Sequence, residues 1–160
     1  MSFSTWKKEF YPVKAETIAK KGSEVDIVQH SLTKWIGLRP NNLVKHGMKK
    51  VEFNLISEVD ANFDEWPYCD KKSLSITDET CSLCKAYRYD DLTWISHPCE
   101  NCPLHIVRKN TPCTLCEKGK ERISPYSMFT VKGDPEPMIA DLRRALRRAK
   151  RRVKKEKPQV

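Results

Sequence analysis

The chain has no apolar run long enough to cross a bilayer, and the stretch Met1 to Glu9 lacks the apolar core of a signal peptide. These absences predict a cytoplasmic protein. Its cysteines number seven, an odd count that fits paired disulfides poorly, and a reducing cytosol disfavours disulfides further. No repeat is present apart from a recurring Cys-x-x-Cys. No βαβ pattern surrounds those motifs, so a thioredoxin-like redox role is poorly supported. Asp60, Asp64, Glu65 and Asp70 share no fixed spacing, and such a block of acids reads as a solvated loop rather than acid–base machinery.

The 160 residues, 39% hydrophobic and 32% charged, allow one ordinary domain or two small ones sharing a metal clip. A net charge of +9 is unevenly spread. Residues 58–102 carry ten acidic against four basic groups, whereas residues 141–157 carry ten basic against two acidic. Nearly all the excess therefore sits in one short basic segment.

Three Cys-x-x-Cys pairs, Cys81/Cys84, Cys99/Cys102 and Cys113/Cys116, lie within 36 residues. Each such turn points two thiolates at one spot, which is half of a tetrahedral zinc site, and three together predict bound Zn2+. Two pairings are open. Cys81, Cys84, Cys99 and Cys102 can form one four-thiolate site, with a ribbon-like gap between pairs, leaving Cys113 and Cys116 to find other partners such as Cys69. Alternatively, the six paired cysteines with His97 and His105 give eight ligands for two interleaved zincs. The single site ranks first, since a histidine near a metal is often only a supporting or surface group. His97, Asn101 and His105 also hint at a His-Asn-His nuclease, but no Asp-His pair precedes them, and no catalytic residue is assigned.

Elsewhere the pattern predicts an extended aromatic arm over residues 1–13 and a helix from Ser23 to Ile36. That helix has Ser23 as N-cap, the stripe Val25, Val28, Leu32 and Trp35, and Gly37 as C-cap. A short helix up to His46, stopped by Gly47, should follow the turn at Arg39-Pro40. Alternation of Val51, Phe53 and Leu55 predicts one half-buried strand over 49–58, paired in a hairpin with 73–77. Ser124–Phe129 reads as a turn and a short helical piece. A long helix enters at Asp134-Pro135-Glu136 and runs to about Lys155 on the stripe Ile139, Leu142, Leu146, Ala149 and Val153. The fold class is thus α+β: a zinc-stabilised ribbon- or knuckle-like centre with N-terminal helices, a short hairpin and a long basic C-terminal helix. Its expected divisions are 1–68, 69–133 and 134–160.

The words Cys81-x-x-Cys84, Cys99-x-x-Cys102-Pro103-Leu104, Cys113, Ser124-Pro125-Tyr126-x-x-Phe129 and Gly133-Asp134-Pro135-x-Pro137-Met138-Ile139 resemble a group of small cysteine-rich proteins encoded by tailed bacteriophages. His30-Ser31-Leu32-x-Lys34-Trp35-x-Gly37-Leu38 and Asn42-Leu43-x-Lys45-His46-Gly47 resemble their N-terminal part. The likeness covers most of residues 5–145. It implies a phage protein acting inside the infected cell and implies no reaction. Cys116 and the extension after Ala145 depart from that pattern.

Arg143, Arg144, Arg147, Arg148, Lys150, Arg151, Arg152, Lys154 and Lys155 crowd the last helix. Such a helix can be merely solvated, or it can neutralise phosphates and release counterions. Arginine-rich composition favours phosphate, and no base-reading motif accompanies it. The sequence therefore predicts a non-enzymatic zinc protein that binds DNA or RNA with little sequence specificity, aided by lysines such as Lys45, Lys49 and Lys50. A host-protein adaptor or inhibitor using the acidic 58–70 stretch is the rival. A membrane surface fits less well, because the stripe lacks bulky aromatics.

Overall fold

The computed structural model describes residues 3–51, 53–57, 73–87, 99–117, 119 and 123–156. Cys69, His97, Lys157 and the acidic 58–70 stretch lie outside them. The architecture is α+β, with helices and a small three-stranded antiparallel sheet.

The chain begins with α1 (Phe3–Phe10) and α2 (Ala15–Lys21). The expected extended arm is thus helical. Phe3, Trp6 and Phe10 recur at three and four residues, so a helix presents them on one face. Trp6 and Phe10 enter the core as the burial argument required. Next comes α3 (Glu24–Gly37), capped reciprocally by Ser23 and Asp26. Gly37 is the last helical residue and not its cap; Leu38 takes that place. The glycine serves close approach instead. A Cβ there would lie 2.5 Å from the Phe10 ring, and the Trp6 indole donates to the Gly37 carbonyl at 2.8 Å.

A short α4 (Pro40–Lys45) leads to Gly47, whose φ of 59° reverses the chain. His46 fastens this corner to α1: its ring nitrogens meet Thr5 Oγ1 at 3.0 Å and Glu9 Oε2 at 2.9 Å. The single strand expected over 49–58 is two strands, β1 (Met48–Val51) and β2 (Asn54–Ser57), with Val51 opposite Asn54. Phe53 sits at that reversal, 52% exposed, and not in the core. β3 (Ser73–Ser75) pairs with β2, giving the order β1-β2-β3.

Then follow a 3-10 turn at Asp78–Thr80, α5 (Ser82–Tyr87), α6 (Pro103–Val107), α7 (Pro125–Lys132) and α8 (Glu136–Glu156). Asp134 opens α8 by accepting the Glu136 N–H at 2.9 Å. α8 packs along α3, and α6 packs on α8. The inward stripe is Met138, Ile139, Leu142, Ala145, Leu146 and Ala149. Val153, expected to extend it, is 41% exposed because the helix has by then left the core. One apolar core joins all three expected divisions: Trp6 and Leu38, Leu83 and Leu104, and Leu142. Each fully buried side chain such as Val28 or Leu142 contributes about 1.5–3 kcal/mol.

Candidate metal centre and the cationic face of α8

Helix α3 positions the thiol region. Buried Ser31 and Ser82 share a hydrogen bond of 2.7 Å, and Ser82 Oγ donates to the Ile27 carbonyl at 2.9 Å. These contacts fix the start of α5, so Cys81 and Cys84 are presented beside α3. Cys102 is the residue before α6, where Pro103 takes the first helical position. Both of these Cys-x-x-Cys turns therefore lead into helices, not strands. Cys81, Cys84, Cys99, Cys102 and Cys113 line a single cavity of about 20 Å³, together with His105. Cys116 is exposed and lies off that cavity. None of the six described cysteines is in a disulfide.

The thiols gather without closing on one point. Among the described residues, no three His, Cys, Asp or Glu side chains are drawn together tightly enough to hold a metal ion. Their chemistry nonetheless suits zinc: thiolate donors around a space the size of one small ion, with imidazole adjacent. His105 Nδ1 is buried and has no hydrogen-bond partner, so a ring nitrogen beside the thiols lacks a protein contact. Four of the five lining thiols, or three with His105, are the candidate ligands.

Electrostatics sharpen this picture. Cys81 is pulled down to about 6, chiefly by a hydrogen bond from the Cys84 thiol; the Lys34 charge and the amides of Cys84 and Leu83 also lower it. Cys84, which keeps the shared proton, is pushed up. Burial raises Cys102 to about 12, although the amides of His105 and Leu104 oppose it without completing a cap hydrogen bond. Burial and neighbouring thiols raise Cys113 to about 12.

Lys34 explains why one side of the cluster favours anions. Its side chain is 2% exposed and donates to the Thr80 carbonyl at 3.0 Å and Thr80 Oγ1 at 2.9 Å. Among the described residues it has no carboxylate partner, and burial pulls its pKa down while Cys81 and Cys84 pull it back up. Cys81, at about 6, supplies counter-charge at neutral pH, and a zinc ion held by four thiolates, with a net charge of about −2, would add to it.

A second buried cation joins the thiol region to α8. Arg108, directly after α6, is fully buried; it donates to Asp141 Oδ2 at 2.6 Å and to the Leu115 carbonyl at 2.7 Å. It thus ties the loop carrying Cys113 to the basic helix. Arg144 shares Asp141, and Arg152 reaches Glu24 on α3 at 3.0 Å. Arg143, Arg147, Arg148, Lys150, Arg151, Lys154 and Lys155 are exposed, and among the described residues none forms an ion pair. The N-terminal lysines fare differently. Lys45 binds Glu9 at 3.0 Å, and Lys50 donates to the Thr130 carbonyl at 2.9 Å, while Lys49 stays exposed.

Sequence reasoning missed Lys34 and Arg108. Ile27, Ser31 and Lys34 repeat at four and three residues, a second face of α3 whose buried start could have marked the lysine. Arg108 carries no comparable signal. Among the described residues, no helix is long and apolar enough to cross a membrane. Comparison with protein-family models, curated proteins and solved structures finds no match.

Proposed function

We propose that this is a zinc-stabilised, non-enzymatic protein that binds DNA or RNA through phosphate contacts of α8. The observation that carries it is the division of α8: one face is sealed into the core, and the other presents seven exposed cations free of ion pairs among the described residues. Cations held on a rigid, anchored helix neutralise phosphates without first paying to order the helix. Zinc is supported by the shared thiol cavity and by the buried Lys34 beside it, whose charge favours thiolates. That cavity, about 20 Å³, suits an ion rather than a substrate. On this reading the working compartment is the cytoplasm of an infected bacterium, which rests on the phage resemblance alone.

Two measurements test it. Metal analysis of the purified chain should find tightly held zinc, reduced by Cys81→Ser and Cys102→Ser and unaffected by Cys116→Ser. Fluorescence anisotropy with a labelled 20-base-pair duplex should show binding that weakens steeply with salt. Salt-insensitive binding, or a stoichiometric protein partner that survives nuclease treatment, would instead favour a host-protein adaptor.

A further inference from the structure

Between α6 and α8 lies a groove of about 610 Å³. Arg144, Arg147, Arg148, Arg151, Arg152 and Lys155 line it. Val107, at the end of α6, supplies an apolar edge, and no described carboxylate lines it. At about 100° per residue these cations spread over a sector of about 140° from Arg147 round to Arg152, and Arg143, Lys150 and Lys154 occupy the adjoining sector, a flank beyond Arg147. The ten basic residues of the tail are therefore not equivalent.

We propose that this groove seats the sugar–phosphate backbone of a nucleic-acid duplex, with one strand running along α8, and that the flank contributes little. The inference rests on the nucleic-acid reading above and specifies its ligand. From Arg144 to Lys155 the helix advances about 16 Å, at roughly 1.5 Å per residue. A strand rises roughly 3.4 Å per nucleotide but winds obliquely around the duplex, so its phosphates lie farther apart along it and the helix spans about three of them. A regular duplex offers such a row ready-made. Single strands are held largely by stacking on aromatic rings, and no described aromatic lines the groove. No described amide side chain lines the groove to pair with base edges, so contact is left to the phosphates.

The test compares two triple variants of the full chain, equal in charge lost. One is Arg147→Ala/Arg148→Ala/Arg151→Ala, in the groove; the other is Arg143→Ala/Lys150→Ala/Lys154→Ala, on the flank. All six residues are exposed, and circular dichroism checks that both variants fold. Anisotropy is read with a 20-base-pair duplex and a 20-nucleotide single strand across a salt series. The groove variant should bind duplex about 10- to 100-fold more weakly than wild type, with its log–log salt slope shallower by about three. The flank variant should change only a few-fold, and wild type should prefer duplex to single strand. Equal losses in the two variants, or tighter binding of the single strand, overturn the groove while leaving the nucleic-acid reading standing. Wild type that binds neither probe overturns both.

Discussion

Around α3 and α8 the body is closed by apolar burial, with Val28, Leu38, Ile139 and Leu142 nearly or wholly out of water. The neighbouring thiol region shares that core through Leu83 and Leu104 but adds buried polar and charged contacts: Ser31 to Ser82, Lys34 to Thr80, and Arg108 to Asp141. Apolar burial keeps its shape whatever is bound. A region closed by buried charge keeps its shape only while that charge is balanced, because an unpaired buried ion costs several kcal/mol. The first arrangement suits a scaffold, and the second marks where the proposed zinc would sit.

If zinc fills the thiol cavity as proposed, chelating it should separate the two regions most sharply. Amide exchange should lose protection over 82–87 and 99–117 and keep it over 24–37 and 136–149. Structural zinc contributes on the order of 10–16 kcal/mol in finger peptides, so this effect should exceed any side-chain substitution. Uniform loss, or none, would erase the distinction. Arg108→Ala comes next. It leaves Asp141 with Arg144, empties a fully buried site and removes the bond to the Leu115 carbonyl, so it should cost about 2–5 kcal/mol in urea unfolding, although no thiol is touched. Gly37→Ala probes the body instead. The added methyl collides with Phe10 and should cost about 1–3 kcal/mol while zinc content stays unchanged.

The smallest effect concerns Glu136, which Arg39 holds at 2.6 and 2.9 Å, first by hydrogen bonding and then by charge, so its carboxyl titrates below the usual range. Since the folded pKa lies below the unfolded one, the pair stabilises at neutral pH and loses its effect as pH falls through the folded value. Both partners are partly exposed, which limits the contribution to about 0.2–1 kcal/mol. The stability gap between wild type and Glu136→Gln should be present at neutral pH and vanish in acid; a constant gap would contradict the assignment.

Helices α3 and α8 were legible because each announces itself twice, through a cap or entrance and through an apolar stripe. Other elements were obscured by competing signals. Val51 and Leu55 alternate equally well in one strand or across a reversal, and only pairing with Asn54 distinguishes them. Gly37 resembles a cap until Phe10, distant in sequence, is seen against it. For the thiols, spacing pointed to pairs but could not tell that Cys113 would line the common cavity while Cys116 stays outside. The basic stretch read as one long striped helix, but where it parts from the core was hidden; small residues such as Ala145 and Ala149 keep the backbone close, and Val153 lies beyond that contact.

The partnership of α3 with α8 also bears on how the chain is made. The contact from Glu24 to Arg152 spans 128 residues, and a bacterial or eukaryotic ribosome adds roughly 5–20 residues per second. The apolar flank of α3 must therefore wait on the order of ten seconds after emerging before its natural cover exists. During that interval a nascent chain should display an unsheathed greasy surface, and versions cut short before α8 should aggregate more readily than the full chain.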